Sequence, residues 1–237
     1  MGNDLSLLFC GLSDCANSAN RISAAINAHL GYMASRVFVT RIHKLMYPED
    51  RCSTAECLKH LSGPGPSIVL TTGCNDGDYS LINYFKDKSD AKLGMLHIGT
   101  NYRNNAKSLN DRDDRLDSIV RFISPDSMHL SNGFGNVYQH AMEPSVNQSP
   151  ALDDARPIRI AHSPSKRSTK GTGAIIKAIN SIPAQYEDLF EFKIIEGLSY
   201  EECSRVRAES DIFICQMNPA IGGFGYSAVE ACASGMA

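Results

Sequence analysis

The 237-residue sequence has no strong excess of charge, no long apolar run and no pair of cysteines spaced as C-x-x-C. Its formal net charge is −3, so binding to DNA or RNA is not favoured. No stretch approaches the roughly 18 continuous apolar residues that a membrane span needs, and no basic segment followed by an apolar one opens the chain. We therefore expect a cytoplasmic protein without a secretory leader.

The eight cysteines are scattered along a chain that is long enough to fold without disulfides. They are expected to be reduced thiols. Cys10 and Cys215 lie within apolar runs, where a thiol behaves as a small hydrophobic side chain. The cysteine pattern indicates no metal site.

Apolar residues make up 43% of the chain and charged residues 21%, the balance of a globular protein that can form a real core. In the first half, short apolar runs alternate with stretches of helical periodicity. The predicted strands are 5–11, 36–40, 67–71, 93–98 and 118–123. The predicted helices are 19–29, 53–61 and 79–85, and the polar segment 102–115 is predicted to be an exposed loop.

The same alternation restarts after a stretch rich in proline and polar residues. The second half has predicted strands at 158–161, 191–195 and 211–215 and predicted helices at 173–182, 200–208 and 226–233. Strands that alternate with helices require crossover connections over a parallel sheet. We predict two Rossmann-like doubly wound α/β domains: 1–146, a linker 147–156, and 157–237. The second is incomplete, so the chain is expected to be truncated relative to a natural full-length protein.

A basic loop joins a strand to a helix in the second half. Residues 162–172 hold Lys166, Arg167 and Lys170 near the free backbone N–H groups of a helix start, a combination suited to phosphate. The loop lacks the glycines of a Walker A motif. A solvated basic loop without a ligand is the alternative.

A glycine-rich loop at 218–225 precedes the last predicted helix. Gly222, Gly223 and Gly225 would let a ligand approach the backbone, and the helix directs its positive end at the same space. Glu230, within that helix, could accept hydrogen bonds from a vicinal diol such as ribose. Because both loops follow strands of one parallel sheet, together they suggest a nucleoside diphosphate.

The region from Arg159 onward resembles the C-terminal domain of the GT-B-fold, retaining glycosyltransferases of family 4. The matching segments are His162-Ser-Pro-Ser165, Lys170-Gly-Thr172, Ile194-Ile-Glu-Gly-Leu-Ser199, Ala208-Glu-Ser-Asp-Ile-Phe-Ile214 and Gly223-Phe-Gly-Tyr-Ser-Ala-Val-Glu-Ala-Cys-Ala-Ser-Gly235. The resemblance implies that Arg167 and Lys170 hold the donor diphosphate and that Glu230 binds the ribose. It also implies that Gly225, Tyr226 and Ser227 offer backbone N–H groups to the diphosphate.

One position departs from the family pattern. These enzymes commonly carry two glutamates as E-x7-E, and Gly222 occupies the position of the first. That carboxylate usually contacts the donor sugar, so the departure bears on which sugar is used and on catalytic competence.

The N-terminal half also resembles these enzymes. Gly11 matches their glycine after the first strand, and residues 14–27, with Asp14 and Asn17, resemble the loop and helix that face the cleft. Residues 96–103 resemble the element H-G-S-x-x-R, which supplies Gly99, Thr100 and Arg103 at the cleft. By that resemblance His97 is the catalytic histidine that contacts the donor sugar, although Ile98 occupies the position of the motif's histidine. A core role for His97 and a surface role for Arg103 are the alternatives.

The resemblance implies transfer of a sugar from a nucleoside-diphosphate sugar to an acceptor hydroxyl, with retention of configuration. No metal and no cofactor are expected. The triplet Asp76-Gly-Asp78 fits the D-x-D pattern of metal-dependent sugar transferases, but it lies in the N-terminal half and is interpreted as a helix-capping turn. The acceptor would be a glycan, a lipid-linked molecule or a small molecule, held by the N-terminal domain near Gly11 and Asn104. This leaves peripheral membrane association open.

Two other functions are compatible with the pattern. One is a non-catalytic remnant that binds a nucleotide sugar. The other is a dinucleotide-dependent oxidoreductase, but this class needs G-x-G-x-x-G after the first strand, and Gly11-Leu-Ser-Asp-Cys-Ala16 lacks it.

Overall fold

The chain divides into two compact units, Met1–Ala141 and Met142–Ala237. Both are mixed α/β structures built on parallel sheets, as the predicted alternation of strands and helices indicates. The computed structural model describes residues 5–11, 18–39, 67–72, 87, 90–116, 119–133, 136–138, 148, 155–219, 221 and 223–237. The helices predicted at 53–61 and 79–85 and the turn predicted at 76–78 lie outside these residues.

Five parallel strands form the sheet of the first unit. They are β1 (Leu5–Gly11), β2 (Met33–Val39), β3 (Ile68–Thr72), β4 (Lys92–His97) and β5 (Val120–Ile123), in the order β2-β1-β3-β4-β5. The chain passes from β1 to one side and then returns to place β3 on the other side. The sheet is therefore an open parallel sheet with a switch point between β1 and β3, compatible with a Rossmann-like fold.

The core of this unit lies where helix α1 (Ser18–His29) covers the apolar central strands. Leu7, Phe9 and Leu96 are buried together with Ala19 of α1. Gly11 ends β1 against Thr72, and a Cβ atom at Gly11 would collide with the Thr72 carbonyl oxygen. The close approach of β1 and β3 at the switch point therefore requires glycine.

The prediction of an exposed loop at 102–115 is wrong. The structure has helix α2 (Gly99–Asp113) there, and Tyr102 and Leu109 of α2 are buried against Ile123 of β5. The Tyr102 hydroxyl donates a hydrogen bond to Asn110 Oδ1 at 2.8 Å. The polar composition concealed a short apolar stripe, and the Asn110 side-chain amide donates to the Leu130 carbonyl oxygen at 2.9 Å.

A second parallel sheet forms the frame of the second unit. Its strands are β6 (Ile158–His162), β7 (Phe190–Ile194) and β8 (Ile212–Phe213), in the order β7-β6-β8. The connection from β6 leads to β7 on one side, whereas β8 lies on the other side of β6. The switch point of this sheet is therefore between β6 and β8.

Among the described residues of the second unit, four α-helices connect or follow these strands. They are α3 (Arg167–Lys170), α4 (Thr172–Ile179), α5 (Tyr200–Ala208) and α6 (Tyr226–Ala233). The sequence predicts α4, α5 and α6, but α3 falls within the predicted basic loop. Ser199 and Glu202 form a capping box at the start of α5, where each side chain accepts a hydrogen bond from the other residue's backbone N–H.

Asp211 secures the amino-terminal end of β8. Its carboxylate accepts hydrogen bonds from both terminal nitrogens of Arg156, at 2.7 Å each, and from the backbone N–H of Arg159 at 2.8 Å. The hydrogen bonds from Arg156 are the main cause that holds the pKa of Asp211 well below its usual range. Within the described part of the chain, no helix is long and apolar enough to cross a membrane.

Candidate functional site

The two loops singled out by sequence follow the two strands on either side of the second switch point. The basic loop leaves the carboxyl end of β6, and the glycine-rich loop follows the carboxyl end of β8. In open parallel sheets ligands bind in the crevice outside these strand ends. The topology of this unit therefore places both loops where a ligand site is expected.

Two hydrogen bonds join the basic loop to the chain at the start of the glycine-rich loop. The Met217 N–H donates to the Lys170 carbonyl oxygen at 3.0 Å, and the Asn218 side-chain amide donates to the Thr169 carbonyl oxygen at 3.0 Å. Between them Gly171 has a φ of +70°, and a Cβ atom there would lie 2.8 Å from the Met217 carbonyl carbon. Only glycine tolerates both this backbone conformation and this contact.

His162 is the buried centre of this junction. Its side chain is fully shielded, with Nδ1 2.7 Å from the Ile214 carbonyl oxygen and Nε2 2.9 Å from the Thr172 hydroxyl oxygen. Nδ1–H therefore donates to Ile214, and Nε2 accepts from Thr172. Burial is the main cause that lowers the pKa of His162, and the nearby Lys170 and Arg167 lower it further. The imidazole is neutral and ties β6 to the chain after β8.

We expect His162 to make the protein less stable as the pH falls below about 6.5, the ordinary histidine pKa. Below that pH the unfolded chain takes up a proton that the folded imidazole resists. The stabilisation is therefore fully present above pH 6.5 and declines by up to about 1.4 kcal/mol per pH unit below it. Chemical denaturation between pH 7.5 and 5 should show a shallower decline for His162→Asn than for the wild type. Equal slopes would contradict this prediction.

Lys170 lies beside the start of α6. Its Nζ donates a hydrogen bond to Gln216 Oε1 at 2.9 Å and lies 3.3 Å from the position that a Cβ atom on Gly225 would take. Gly225 is the N-cap of α6, and among the described residues no side chain caps this helix start. The ammonium and the positive end of the helix are therefore adjacent, and the absent side chain at Gly225 leaves room between them.

Gln216 is a site residue that sequence reasoning missed. Its carbonyl oxygen accepts from Lys170, and its Nε2 donates to the Gly223 carbonyl oxygen at 2.5 Å. One neutral amide thus connects the lysine of the first loop with the glycines of the second. A single glutamine in a loop carries no motif or periodicity, so no signal in the sequence could have identified it.

Arg167, at the first position of α3, is engaged with a carboxylate. Its Nη2 donates to Glu196 Oε2 at 2.7 Å, and its Nε is 3.1 Å from both Glu196 oxygens. These hydrogen bonds raise the pKa of Arg167 and lower that of Glu196. Glu196 follows the carboxyl end of β7, so the pair lies at the same edge of the sheet as the two loops. Its charges cancel, and both side chains are well exposed.

Glu230 is held within the unit by α5. Arg207 Nη2 donates to Glu230 Oε2 at 2.8 Å, and the Tyr200 hydroxyl donates to Oε1 at 3.0 Å. Glu230 is 8% exposed and Arg207 is 3% exposed, so this is a buried ion pair. Arg207 also lies over the Phe213 ring, 5.6 Å from its centre. Glu230 therefore connects α6 to α5, and its contact with a ribose stays a prediction.

Tyr226 and Ser227 occupy the first turn of α6, where their backbone N–H groups face the end of the helix. Tyr226 is buried, and Ser227 Oγ lies 3.7 Å from Cys215 Sγ. The four described cysteines, among them Cys10 and Cys215, are free thiols.

His97, in the first unit, has the surroundings of a core histidine. It is 3% exposed, its Nε2 is 2.6 Å from Asp113 Oδ2, and its ring centre is 4.4 Å from that of Tyr102. The pair connects the end of β4 to the end of α2. Contact between His97 and a donor sugar stays a prediction.

The other residues predicted at the cleft belong to the first unit or lie outside the described residues. Gly99 begins α2 with a φ of +73°, Thr100 follows it, and the half-buried Arg103 lies one turn further along. Asp14, Asn17 and Gly222 lie outside the described residues.

The structure thus brings together Lys170, Gly225 and the start of α6, with Gln216 between the loops. Arg167 and Glu230 lie in the same unit, each paired with an internal partner. In the part of the chain that is described, no group of three or more His, Cys, Asp or Glu residues could hold a metal ion. Comparison of the chain with protein-family models and with curated proteins gave no match.

Proposed function

We propose that this protein is a retaining glycosyltransferase that moves a sugar from a nucleoside-diphosphate sugar to an acceptor hydroxyl. The observation that carries the proposal is the Lys170 ammonium beside Gly225 at the start of α6, between the two loops of a switch point. A cation, the positive end of a helix and a glycine that admits a ligand to the backbone together form a surface suited to a diphosphate.

The diphosphate is both the part of the donor that such a site holds and the leaving group of the reaction. When the bond between the anomeric carbon and the diphosphate oxygen breaks, negative charge develops on that oxygen. Lys170 and the first N–H groups of α6 would stabilise this charge, and a positioned cation lowers the barrier if it acts more strongly on the transition state than on the bound donor. The acceptor oxygen then bonds to the anomeric carbon, and its proton is released with the diphosphate.

The proposal includes a GT-B arrangement of two Rossmann-like domains. The second domain would bind the donor, and the first would bind the acceptor, which is a glycan, a lipid-linked molecule or a small molecule. Retention of configuration and a cytoplasmic location rest on the sequence resemblance and composition rather than on the site geometry. No metal is needed where Lys170 and the helix start neutralise the diphosphate.

A second candidate function is binding of a nucleotide sugar without transfer. It is favoured by His97, the predicted catalytic residue, because that side chain is buried and paired with Asp113. A histidine in this state offers no exposed group to a donor sugar. The phosphate-binding half of the site is common to both functions, so the two differ only in turnover.

The wild-type chain should bind one nucleoside diphosphate and its sugar conjugate more tightly than other nucleotides. A screen of adenosine, guanosine, uridine and cytidine diphosphates and their common sugar conjugates should therefore raise the unfolding temperature selectively. Incubation of the best conjugate with mixed glycan and lipid-linked acceptors should release the free diphosphate. Selective binding without release would favour the second candidate. If no nucleoside diphosphate binds, both functions are wrong.

A further inference from the structure

The two cations of the candidate site are held by partners of different charge. Arg167 is paired with the carboxylate of Glu196, whereas Lys170 is hydrogen-bonded to the neutral amide of Gln216. Among the described residues, no carboxylate lies within ion-pair distance of Lys170. Arg167 is therefore paired with an opposite charge at the surface, whereas within the described part of the chain Lys170 has only a neutral partner.

The Gln216 amide also has a fixed orientation. Its carbonyl oxygen must face the ammonium, because Lys170 can only donate, and its NH2 group must face the Gly223 carbonyl, which can only accept. A glutamate at this position would match the shape of the glutamine and cancel the charge of Lys170. It would also place a second acceptor against the Gly223 carbonyl oxygen.

We infer that Gln216 and Glu196 together set the affinity of this site for anions: Gln216 positions Lys170 without neutralising it, and Glu196 restrains Arg167 by neutralising it. Gln216 is thus a positioning residue, which orients the ammonium toward the start of α6 and holds the glycine-rich loop. Glu196 is an internal competitor that an anionic ligand must displace to reach Arg167. The inference rests on the proposed function only for the location of the site.

Two charge changes should therefore act in opposite directions on the binding of inorganic pyrophosphate, which carries no base or sugar. Gln216→Glu should weaken binding by roughly tenfold, since it creates a charge-assisted pair with Lys170. Glu196→Gln should strengthen binding by about two- to fivefold, the effect expected of an exposed ion pair that no longer competes. Titration calorimetry of the full chain measures both.

Matched variants distinguish the effect of a charge at the site on pyrophosphate binding from the effect of a charge elsewhere and from the effect of altered packing. Gln185→Glu, in the exposed turn before β7, and Glu191→Gln, near the start of β7, make the same two changes at the opposite end of the sheet. Both should leave pyrophosphate affinity close to that of the wild type. Gln216→Met keeps the length of the side chain without its hydrogen bonds, and should weaken binding less than Gln216→Glu.

Ionic strength provides a readout that a purely structural role of Gln216 would not move. Between about 0.01 and 1 M salt the screening length falls from roughly 30 to 3 Å, so the difference between Gln216→Glu and Gln216→Met should shrink. A packing defect would leave that difference unchanged.

The inference is overturned if Gln216→Glu and Glu196→Gln shift affinity in the same direction, or if neither Glu196→Gln nor the wild type binds pyrophosphate. It is also overturned if Gln216→Met equals Gln216→Glu at every salt concentration. If the affinities follow the expected order but no sugar conjugate is turned over, sugar transfer alone is wrong and the electrostatic inference stands.

Discussion

Glu230→Gln should lower the free energy of unfolding by about 3–5 kcal/mol, because it leaves the charge of Arg207 buried without a counter-charge. Arg207 is 3% exposed, and its Nη2 lies 2.8 Å from the Glu230 carboxylate. Glutamine keeps the volume and can still accept from Tyr200, so the loss reports the charge rather than a cavity. Urea or thermal denaturation measures it.

Helix α5, which carries Arg207, also offers a matched control for Glu230→Gln. Arg205 and Glu209 of the α5 end form an ion pair at 3.0 Å, but both side chains are more than half exposed. Glu209→Gln should therefore cost less than about 1 kcal/mol. The double variant Arg207→Met with Glu230→Gln should be more stable than Glu230→Gln alone, since it removes the unpaired cation. If Glu230→Gln and Glu209→Gln unfold alike, the buried pair does not stabilise the unit.

The ribose assignment of Glu230 requires a separate comparison at a temperature where the variant is still folded. If the carboxylate accepts hydrogen bonds from a ribose diol, Glu230→Gln should weaken binding of a nucleoside diphosphate more than binding of inorganic pyrophosphate. Equal losses for the two ligands would show that Glu230 acts only through its pairing with Arg207 and Tyr200.

Lys170→Ala should weaken binding of a nucleoside diphosphate by roughly 10- to 150-fold. The variant loses a charge-assisted contact to phosphate, which contributes about 1.5–3 kcal/mol, and each 1.4 kcal/mol corresponds to a factor of ten. Titration calorimetry with the diphosphate selected in the nucleotide screen measures the loss. Inorganic pyrophosphate should show a similar loss, because Lys170 is expected to contact the phosphates and not the base.

Lys177→Ala is the control for this change. Lys177 lies in α4, is exposed, and carries the same charge away from the start of α6. Its removal should change affinity by less than about twofold, the long-range effect of one screened surface charge. If Lys170→Ala and Lys177→Ala bind the diphosphate equally well, Lys170 is not part of the site.

The secondary structure of the second unit follows closely from the sequence. Apolar runs such as 158–161 and 191–195 predict β6 and β7, and the helical spacing at 200–208 predicts α5. These elements are set by local periodicity, which a single sequence displays. The loop predicted at 102–115 is wrong because local periodicity is weak there. The few apolar residues of α2 are outnumbered by polar ones, and these are paired with partners distant in sequence.

The candidate site, too, could be predicted from the sequence only in part. The basic loop and the glycine-rich loop were both identified from composition and from their position after strands, and the sheet order β7-β6-β8 places them side by side. The partners of the charged residues could not be predicted. Glu196 meets Arg167 and Arg207 meets Glu230 across 29 and 23 residues of chain, and no local pattern encodes such contacts.

The sequence by itself determined the alternation of strands and helices, and it identified the cations and glycines whose chemistry suits a diphosphate. Only the tertiary structure decided which of the two cations, Arg167 or Lys170, is paired with a carboxylate among the described residues. That outcome depends on which side chain lies within about 3 Å of each ammonium or guanidinium group, and those neighbours come from strands and helices that the chain brings together only when it folds.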